Sequence, residues 1–431
     1  MGLAWTATRD ARTVVRGGIG RYFDPAGSTN AFNLTLEREY LSPLGTATVT
    51  HTPVRIPAPT AVTAAQLLEI LTTIEQPLGR SVNPDNRDLS LRNLDRTKAG
   101  SNLQDPSNRT PYAVHATLGI QREIAHAFVI SADLAWKQLV HTFINGIDYN
   151  RWNSAAGTVI PRCTVEEAND LHATCSTGPM YFDTTIGRAR YAGLLVRAER
   201  RFSHGIQLLG SYALGSFVGS NGTGTGTTEN SGGRVFGFNN DDWFENYGPL
   251  PTDQRHVFNA SGVVGLPLAV QLAVSVSASS APPFAPYVRD MDFNGDGTVH
   301  DLLPGTTINQ FGRGLDKNDL ARLLQQYNRE IAGRKTPGGQ TAPELTLPAT
   351  YSFYDGFFTQ DLRLTRWFDL GGRRRAEVFV DVFNVLNTPN LIGFGSDLRQ
   401  SSTFGQPSNR FSQVFGSGGP RAVQIGGRLV F

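Results

Sequence analysis

The chain is short of charge, of cysteine and of any long apolar run. Charged residues make up 18% of its 431 residues, and 39 Lys and Arg stand against 37 Asp and Glu. That is a low charge content for a soluble domain. A balance this close creates no field that would gather nucleic acid, and none is expected as a partner. The two cysteines, Cys163 and Cys175, sit in one loop, separated by TVEEANDLHAT. Two thiols cannot complete a four-ligand zinc site by themselves. A local disulfide formed in an oxidising compartment is the simpler reading, with two free thiols as the alternative. The most apolar stretch, Val263 to Val276, is broken by Gly265, Pro267 and Gln271. It falls short of the roughly 18–20 residues that a helical span needs. Helical membrane proteins are thereby excluded; a barrel is not, because its strands dilute every apolar residue with a polar one. The opening MGLAWTATRD lacks the basic head and apolar core of a signal peptide, so an exported form is expected to start further upstream. None of the 8 histidines opens His-Glu-x-x-His and no Gly-x-Ser-x-Gly elbow occurs, so no enzymatic activity is expected.

What the chain does have is glycine (46), phenylalanine (25) and a period of two. In YAVHATLGIQREI, Tyr112, Val114, Ala116, Leu118 and Ile120 fall on one face, with His115, Thr117 and Gln121 opposite. In FVISADLAWK, Phe128, Ile130, Ala132, Leu134 and Trp136 oppose Ser131, Asp133 and Lys137. The pattern recurs in TVVRGGIGRYF, LLVRAERRF, IQLLGSYAL, HVFNASGVVG, VQLAVSVSA, FTQDLRLTRWF, RAEVFVDVFNVL and the closing RAVQIGGRLVF. Alternation held over some ten residues at a time predicts strands, joined in pairs by short turns such as Ser203-His204 and Leu266-Pro267.

Every second connection is long: about 24–110, 138–190, 216–254, 279–356 and 387–420. Compact soluble domains seldom carry such loops, whereas outer-membrane barrels combine short periplasmic turns with long extracellular loops by rule. The pattern therefore predicts an all-β, antiparallel transmembrane barrel with a lipid-facing apolar side and a polar lumen; the alternative is a soluble β-sandwich. The last strand is then expected to close against an earlier one, since an open edge in lipid leaves backbone groups unsatisfied. About eleven strands can be counted, and a single-chain bacterial barrel normally has an even number.

Five segments, in order, carry a family resemblance: TVVRGGIGRYFD, YGPLPTDQRHVFNASGVVGLP, RDMDFNGDGTVHDLLPG, FFTQDLRLTRWFDLGGRRRAEVFVDVFNVLNTPN and RAVQIGGRLVF. They span nearly the whole chain and resemble the C-terminal barrel of TonB-dependent, Oar-like outer-membrane receptors; EVFVDVFNVLNTPN is the most specific. The resemblance implies a barrel of about 22 strands around an N-terminal plug, energised through TonB, in the outer membrane of a Gram-negative-type cell. It implies that residues 1–431 are the C-terminal barrel portion, with the plug and early strands lying outside this sequence. The terminal Phe431 matches the signature that such proteins present to the barrel-insertion machinery. The expected function is binding or passage of an extracellular ligand across the outer membrane; the alternative is a surface-structural or adhesive protein without transport.

The sharpest local motif is DMDFNGDGTVHD, with Asp290, Asp292, Asn294 and Asp296 at alternate positions and Asp301 following. Calcium takes six to eight oxygens from such a wrap. Gly295 and Asp301 fall where an EF-hand loop has its glycine and its final acid, so the five residues are candidate ligands of a structural calcium; the alternative is a solvated Asp/Gly turn. LDKNDLARLLQQYNREIAG predicts a helix capped by Asp316 or Asn318 and ended by Gly333, its apolar face holding Leu320, Leu323, Leu324, Tyr327 and Ile331. TAAQLLEILTTIEQP predicts a second, with Thr63 and Gln66 as a capping box. Both helices are expected to pack within the outer loops. Gly219 to Gly233 is low-complexity and lacks the Lys-Ser/Thr ending of a phosphate loop. Asn239, Asn240, Asp241, Asp242, Trp243 and Tyr247 read as a solvated loop or as a carbohydrate- or peptide-binding one. Asp253, Arg255 and His256 predict an ion pair at the outer rim. Glu199, Glu377 and Asp381 are expected to pair across strands with Arg197, Arg201 and Arg375.

Overall fold

The alternation resolves into one antiparallel sheet. The computed structural model describes residues 1–23, 102–104, 107, 109–125, 127–169, 175–179, 181–220, 239–412 and 416–431. Eleven long strands follow one another: β1 (Gly2–Thr6), β2 (Thr13–Phe23), β3 (Tyr112–Ala125), β4 (Phe128–Asp148), β5 (Tyr181–Ser203), β6 (Ile206–Ser220), β7 (His256–Leu266), β8 (Val270–Ser279), β9 (Phe357–Asp369), β10 (Arg375–Phe383) and β11 (Ala422–Val430). Each is bonded to the next in chain order, the up-and-down path of a barrel wall. Residues 102–104 add a short strand parallel to β5 and 247–249 one antiparallel to β6, making thirteen in the sheet, and 391–392 pairs with 409–410 separately.

The expected faces are the observed ones. Leu118, Leu134, Leu194 and Leu214 stand in one row across β3 to β6. Leu118 and Leu134 are 57% and 56% exposed, and on the far strands Val378 and Ile425 are 46% and 74% exposed. A sandwich would bury these side chains as its dry core. A contiguous bare apolar face of this extent suits hydrocarbon instead. The opposite face is polar and glycine-rich. On it the Phe379 ring lies flat on Gly426, where a Cβ would meet the ring at 2.3 Å, so only glycine fits beneath.

Two expectations change. β4 and β5 run for 21 and 23 residues, twice the roughly 9–11 that cross a bilayer. Their connection shrinks to 149–180, and bulges between Val140 and Ile147 re-aim the projecting part of the hairpin. Second, β11 pairs with β10 alone and β1 with β2 alone, so the sheet stays open between β1 and β11 among the described residues. An odd strand count sets β1 and β11 running in the same sense, and pairing them directly would be parallel, against the antiparallel rule of these walls.

The long-loop side carries the dry core of the described residues. Segments 280–356 and 384–412 pack together around Phe284, Val288, Leu303, Phe311, Leu398 and Phe404. The expected helix is present as α1 (Lys317–Glu330), pressing Leu320, Leu324 and Tyr327 into that core. Asp316 is its N-cap, in a reciprocal capping box with Asp319, and Gly333 follows at φ +79°. The helix expected within 63–77 lies outside the described residues.

The asparagines of VFNVLNTPN explain that segment. Asn384, Asn387 and Asn390 all adopt left-handed backbone, at φ +46°, +54° and +46°, a conformation that asparagine tolerates. Buried Asn384 donates to the carbonyls of Thr388 (2.8 Å) and Gly419 (2.6 Å). Asn390 accepts from the Phe358 amide (2.7 Å) and donates to the Gly418 carbonyl (3.2 Å). Asn387 accepts from the Arg421 amide at 3.2 Å. The three side chains staple the exit of β10 to the starts of β9 and β11.

Candidate functional site: a charged lumen wall under tied outer loops

Alternation delivers the chemistry of the inner wall, because each residue that turns away from lipid turns into the lumen. Arg16 on β2 reaches across β3 to Asp133 on β4, with Nε to Oδ1 at 3.0 Å and Nη2 to Oδ2 at 2.8 Å. Beside it, a cleft of about 450 Å³ is lined by Arg197, Glu199, Arg201, Ser211 and Asn259 as well as this pair. A second, of about 340 Å³, lies over β6 to β10 and is lined by Gln207, Ser261, Ser275, Asp361, Arg363 and Asp381. There Arg363 holds Asp381 through two bonds of 2.5 and 2.8 Å while its guanidinium lies 4.5 Å from the Phe379 ring centre.

These pairings correct the expected ones. Asp381 is paired with Arg363 rather than Arg375, because the register sets Arg363 directly opposite it. Arg197 and Glu199 bond at 2.9 Å along one strand rather than across two. Arg201 and Arg375 make no ion pair among the described residues, and neither does Glu377.

Outside the wall, buried polar residues tie the loops together. The Asp253 carboxylate is 1% exposed; it accepts from Arg313 at 2.6 Å, Arg255 at 3.1 Å and the Phe217 amide at 2.6 Å. The expected ion pair with Arg255 is therefore present, and the deeper partner is Arg313, itself 6% exposed. Nothing local in the sequence pointed to Arg313, which comes from 60 residues away. Asn240, read as part of a solvated or ligand-binding loop, is buried. It exchanges two bonds with the Asp148 backbone, at 2.7 and 3.0 Å, and its amide donates to the Asp296 carboxylate. Its carbonyl accepts from the Trp243 indole at 2.8 Å. Asp241 pairs with Arg151, whose Nη1 also donates to the Asp296 carbonyl at 3.2 Å. Arg289 holds buried Asp397 at 2.7 Å, and Arg399 holds Asp290 at 3.2 Å. The described parts of the connections, 149–169, 239–255, 280–356 and 384–412, thus meet around one short segment, 290–301.

That segment brings together three of the five candidate metal ligands. Asp292, Asp296 and Asp301 are buried at 0%, 1% and 5% exposure, whereas Asn294 is exposed and Asp290 turns away to Arg399. Asp292 accepts from the amides of Gly295 (2.6 Å) and Gly297 (3.1 Å), both at positive φ. Asp301 accepts from the Phe293 amide at 2.6 Å. Burial pushes the Asp301 carboxyl up to about 8; the Phe293 amide works against this, and the charges of Asp296 and Asp292 add to it. Burial also raises Asp292, opposed by the Gly295 amide. The donor chemistry is the hard-oxygen type that calcium takes. As folded, those oxygens serve backbone amides, and no group of three or more acidic, His or Cys side chains is set to hold a metal among the described residues.

Cys163 and Cys175 form the expected disulfide, which closes the loop between β4 and β5. Phe431 follows β11 and is 86% exposed. The expected loop of Gly219 to Gly233 lies mostly outside the described residues.

Apolar outer face, charged inner face, short turns on one side and tied loops on the other define the wall of an outer-membrane β-barrel. The chain belongs to the outer membrane beta-barrel domain family, whose model matches residues 1–424. Its place is the Gram-negative outer membrane. Among solved structures it is similar to the outer membrane transporter YddB from Escherichia coli, with 10% identity, a TM-score of 0.43, and coverage of 90% of this chain and 36% of that one. It is also similar to the ferric-catecholate import receptor Fiu from E. coli K12, with 9% identity, a TM-score of 0.38, and coverage of 99% and 34%. A third is the ferric enterobactin receptor PfeA from Pseudomonas aeruginosa, with 10% identity, a TM-score of 0.43, and coverage of 99% and 39%. The chain spans little more than a third of the length of each. No curated protein matches its sequence.

Proposed function

We propose that the chain is the C-terminal barrel wall of a TonB-dependent, Oar-like receptor, which gathers an extracellular ligand at its tied loops and passes it along the lumen. The observation that supports this most is the inner wall, where Arg16–Asp133, Arg197–Glu199 and Arg363–Asp381 line clefts of about 450 and 340 Å³. Paired charges of both signs suit a water-filled path, since their partners hold them in place without closing the lumen. Calcium at Asp292, Asp296 and Asp301 belongs to the same proposal, as a brace for the junction of four loops. Further partners are the barrel-insertion machinery at Phe431 and TonB, through a plug.

Uptake separates this reading from a surface-structural one. Compounds depleted from defined medium are compared by mass spectrometry between wild-type cells and cells lacking the gene, with and without a protonophore. Transport predicts a compound consumed only by energised wild-type cells. Identical depletion profiles favour the structural or adhesive role.

A further inference from the structure

The outward face is apolar over its middle rows and carries a short basic strip at its long-loop end. Arg21 on β2 lies in one cross-strand row with Val114, Gln138 and Arg190, and Phe23 lies in the next row with Tyr112, Val140 and Arg188. Two residues further toward the turns, the same face carries Ile19, Ala116, Trp136 and Ala192, and beyond them the leucine row. The change from aliphatic to aromatic and basic rows marks the outer boundary of the hydrocarbon.

All three arginines are exposed and make no ion pair among the described residues. Arg21 stacks 3.6 Å from the Tyr112 ring centre and 4.7 Å from that of Phe23. Arg188 lies 5.3 Å from Phe244 and 5.4 Å from Tyr247. Stacking fixes the planar guanidinium groups of Arg21 and Arg188 while leaving their N–H edges free. β2 and β5 are three strand spacings apart, about 14 Å, so the strip fits the footprint of one or two lipid headgroups. Guanidinium at a lipid boundary is costly without an anion, and phosphate is the anion that its fork binds bidentately. Inner-wall Arg16, Arg197 and Arg363 have carboxylate partners, and outward Arg122 has Asp10 at 3.9 Å; Arg21, Arg188 and Arg190 have none among the described residues.

We propose that Arg21, Arg188 and Arg190 form a binding site on the outer wall for the phosphate-bearing headgroup of an outer-leaflet lipid. The test uses the full chain, purified from the outer membrane in detergent, with native mass spectrometry as the readout. The probes are lipid A carrying its phosphates and the same lipid with the phosphates removed. Wild-type protein is expected to retain the phosphorylated form selectively. Combined Arg21→Ala, Arg188→Ala and Arg190→Ala substitution is expected to weaken retention about tenfold or more. Arg122→Ala, near the opposite end of the same face, should leave it unchanged. A triple lysine variant keeps the charge and should retain an intermediate amount, which separates loss of the site from loss of the fold. Equal retention of the dephosphorylated lipid by wild-type protein would overturn the proposal, and so would an unaltered triple alanine variant. Displacement of the lipid by millimolar inorganic phosphate would make this a free-anion site and sink the lipid assignment.

Discussion

Arg16 and Asp133 close their ion pair over the backbone of Gly119, a residue of the strand between them. A Cβ built on Gly119 would lie 1.9 Å from Asp133 Oδ1, so the glycine is the gap through which two non-adjacent strands touch. The side chains are 47% and 27% exposed, which limits the pair to about 1 kcal/mol. Gly119→Ala should therefore cost about as much as Asp133→Ala. The double variant should melt with Asp133→Ala rather than below it, because the carboxylate that the new methyl displaces is already gone. Strictly additive losses in detergent melting curves would assign Gly119 another task.

Burial makes the Asp253 cluster a harsher case. Removing Arg313 leaves a carboxylate at 1% exposure with only Arg255, which is 40% exposed, as a cation. Arg313→Leu should destabilise the loop body by about 2–4 kcal/mol, and Arg255→Leu by less than about 1 kcal/mol. Adding Asp253→Asn to Arg313→Leu should recover part of the loss, since no buried charge then remains. Chemical denaturation followed by tryptophan fluorescence would rank the variants.

The wall was legible in the sequence and the loop body was not, for a physical reason. Period two records a single relation, lipid on one side and water on the other, and Leu118, Leu134 and Val378 obey it residue by residue. Turn lengths then fixed the order of the strands. Partners such as Asp253 and Arg313 meet through tertiary folding of irregular chain, which leaves no period to read. Lumen pairing fell between the two: residue types identified the charged face, but the choice of Arg363 over Arg375 for Asp381 depends on register. A buried asparagine that caps backbone groups has the same local composition as a solvated one, so the sequence around Asn240 does not show its burial.

Asn240 itself gives a local prediction. Asn240→Ala removes its bonds to the Asp148 backbone, including the acceptor for the Asp148 amide. A buried donor left without an acceptor costs about 1–3 kcal/mol. The loss should appear as faster hydrogen exchange in 148–152 and 292–298, with the strands β7 to β10 unchanged. Exchange that quickened evenly through the sheet would mean that Asn240 supports the wall and not the junction of the loops.

The calcium assignment predicts opposite effects from two perturbations of one residue. Asp301 is a buried acid whose charged form the fold disfavours, so Asp301→Asn keeps the shape and removes the charge. In chelator, the variant should melt at the wild-type temperature or above it. With calcium at about a hundredfold over its dissociation constant, the wild type should gain about 2.7 kcal/mol, read as several degrees in the loop transition. The variant should gain little, because one of three buried carboxylates is gone. A wild-type curve that calcium and chelator leave in the same place would mean that Asp292, Asp296 and Asp301 serve the hydrogen bonds they accept in the fold, from the amides of Gly295, Gly297, Thr298, Phe293 and Asn240 and from the Thr298 hydroxyl, and no metal. The turn would then be held by hydrogen bonds alone.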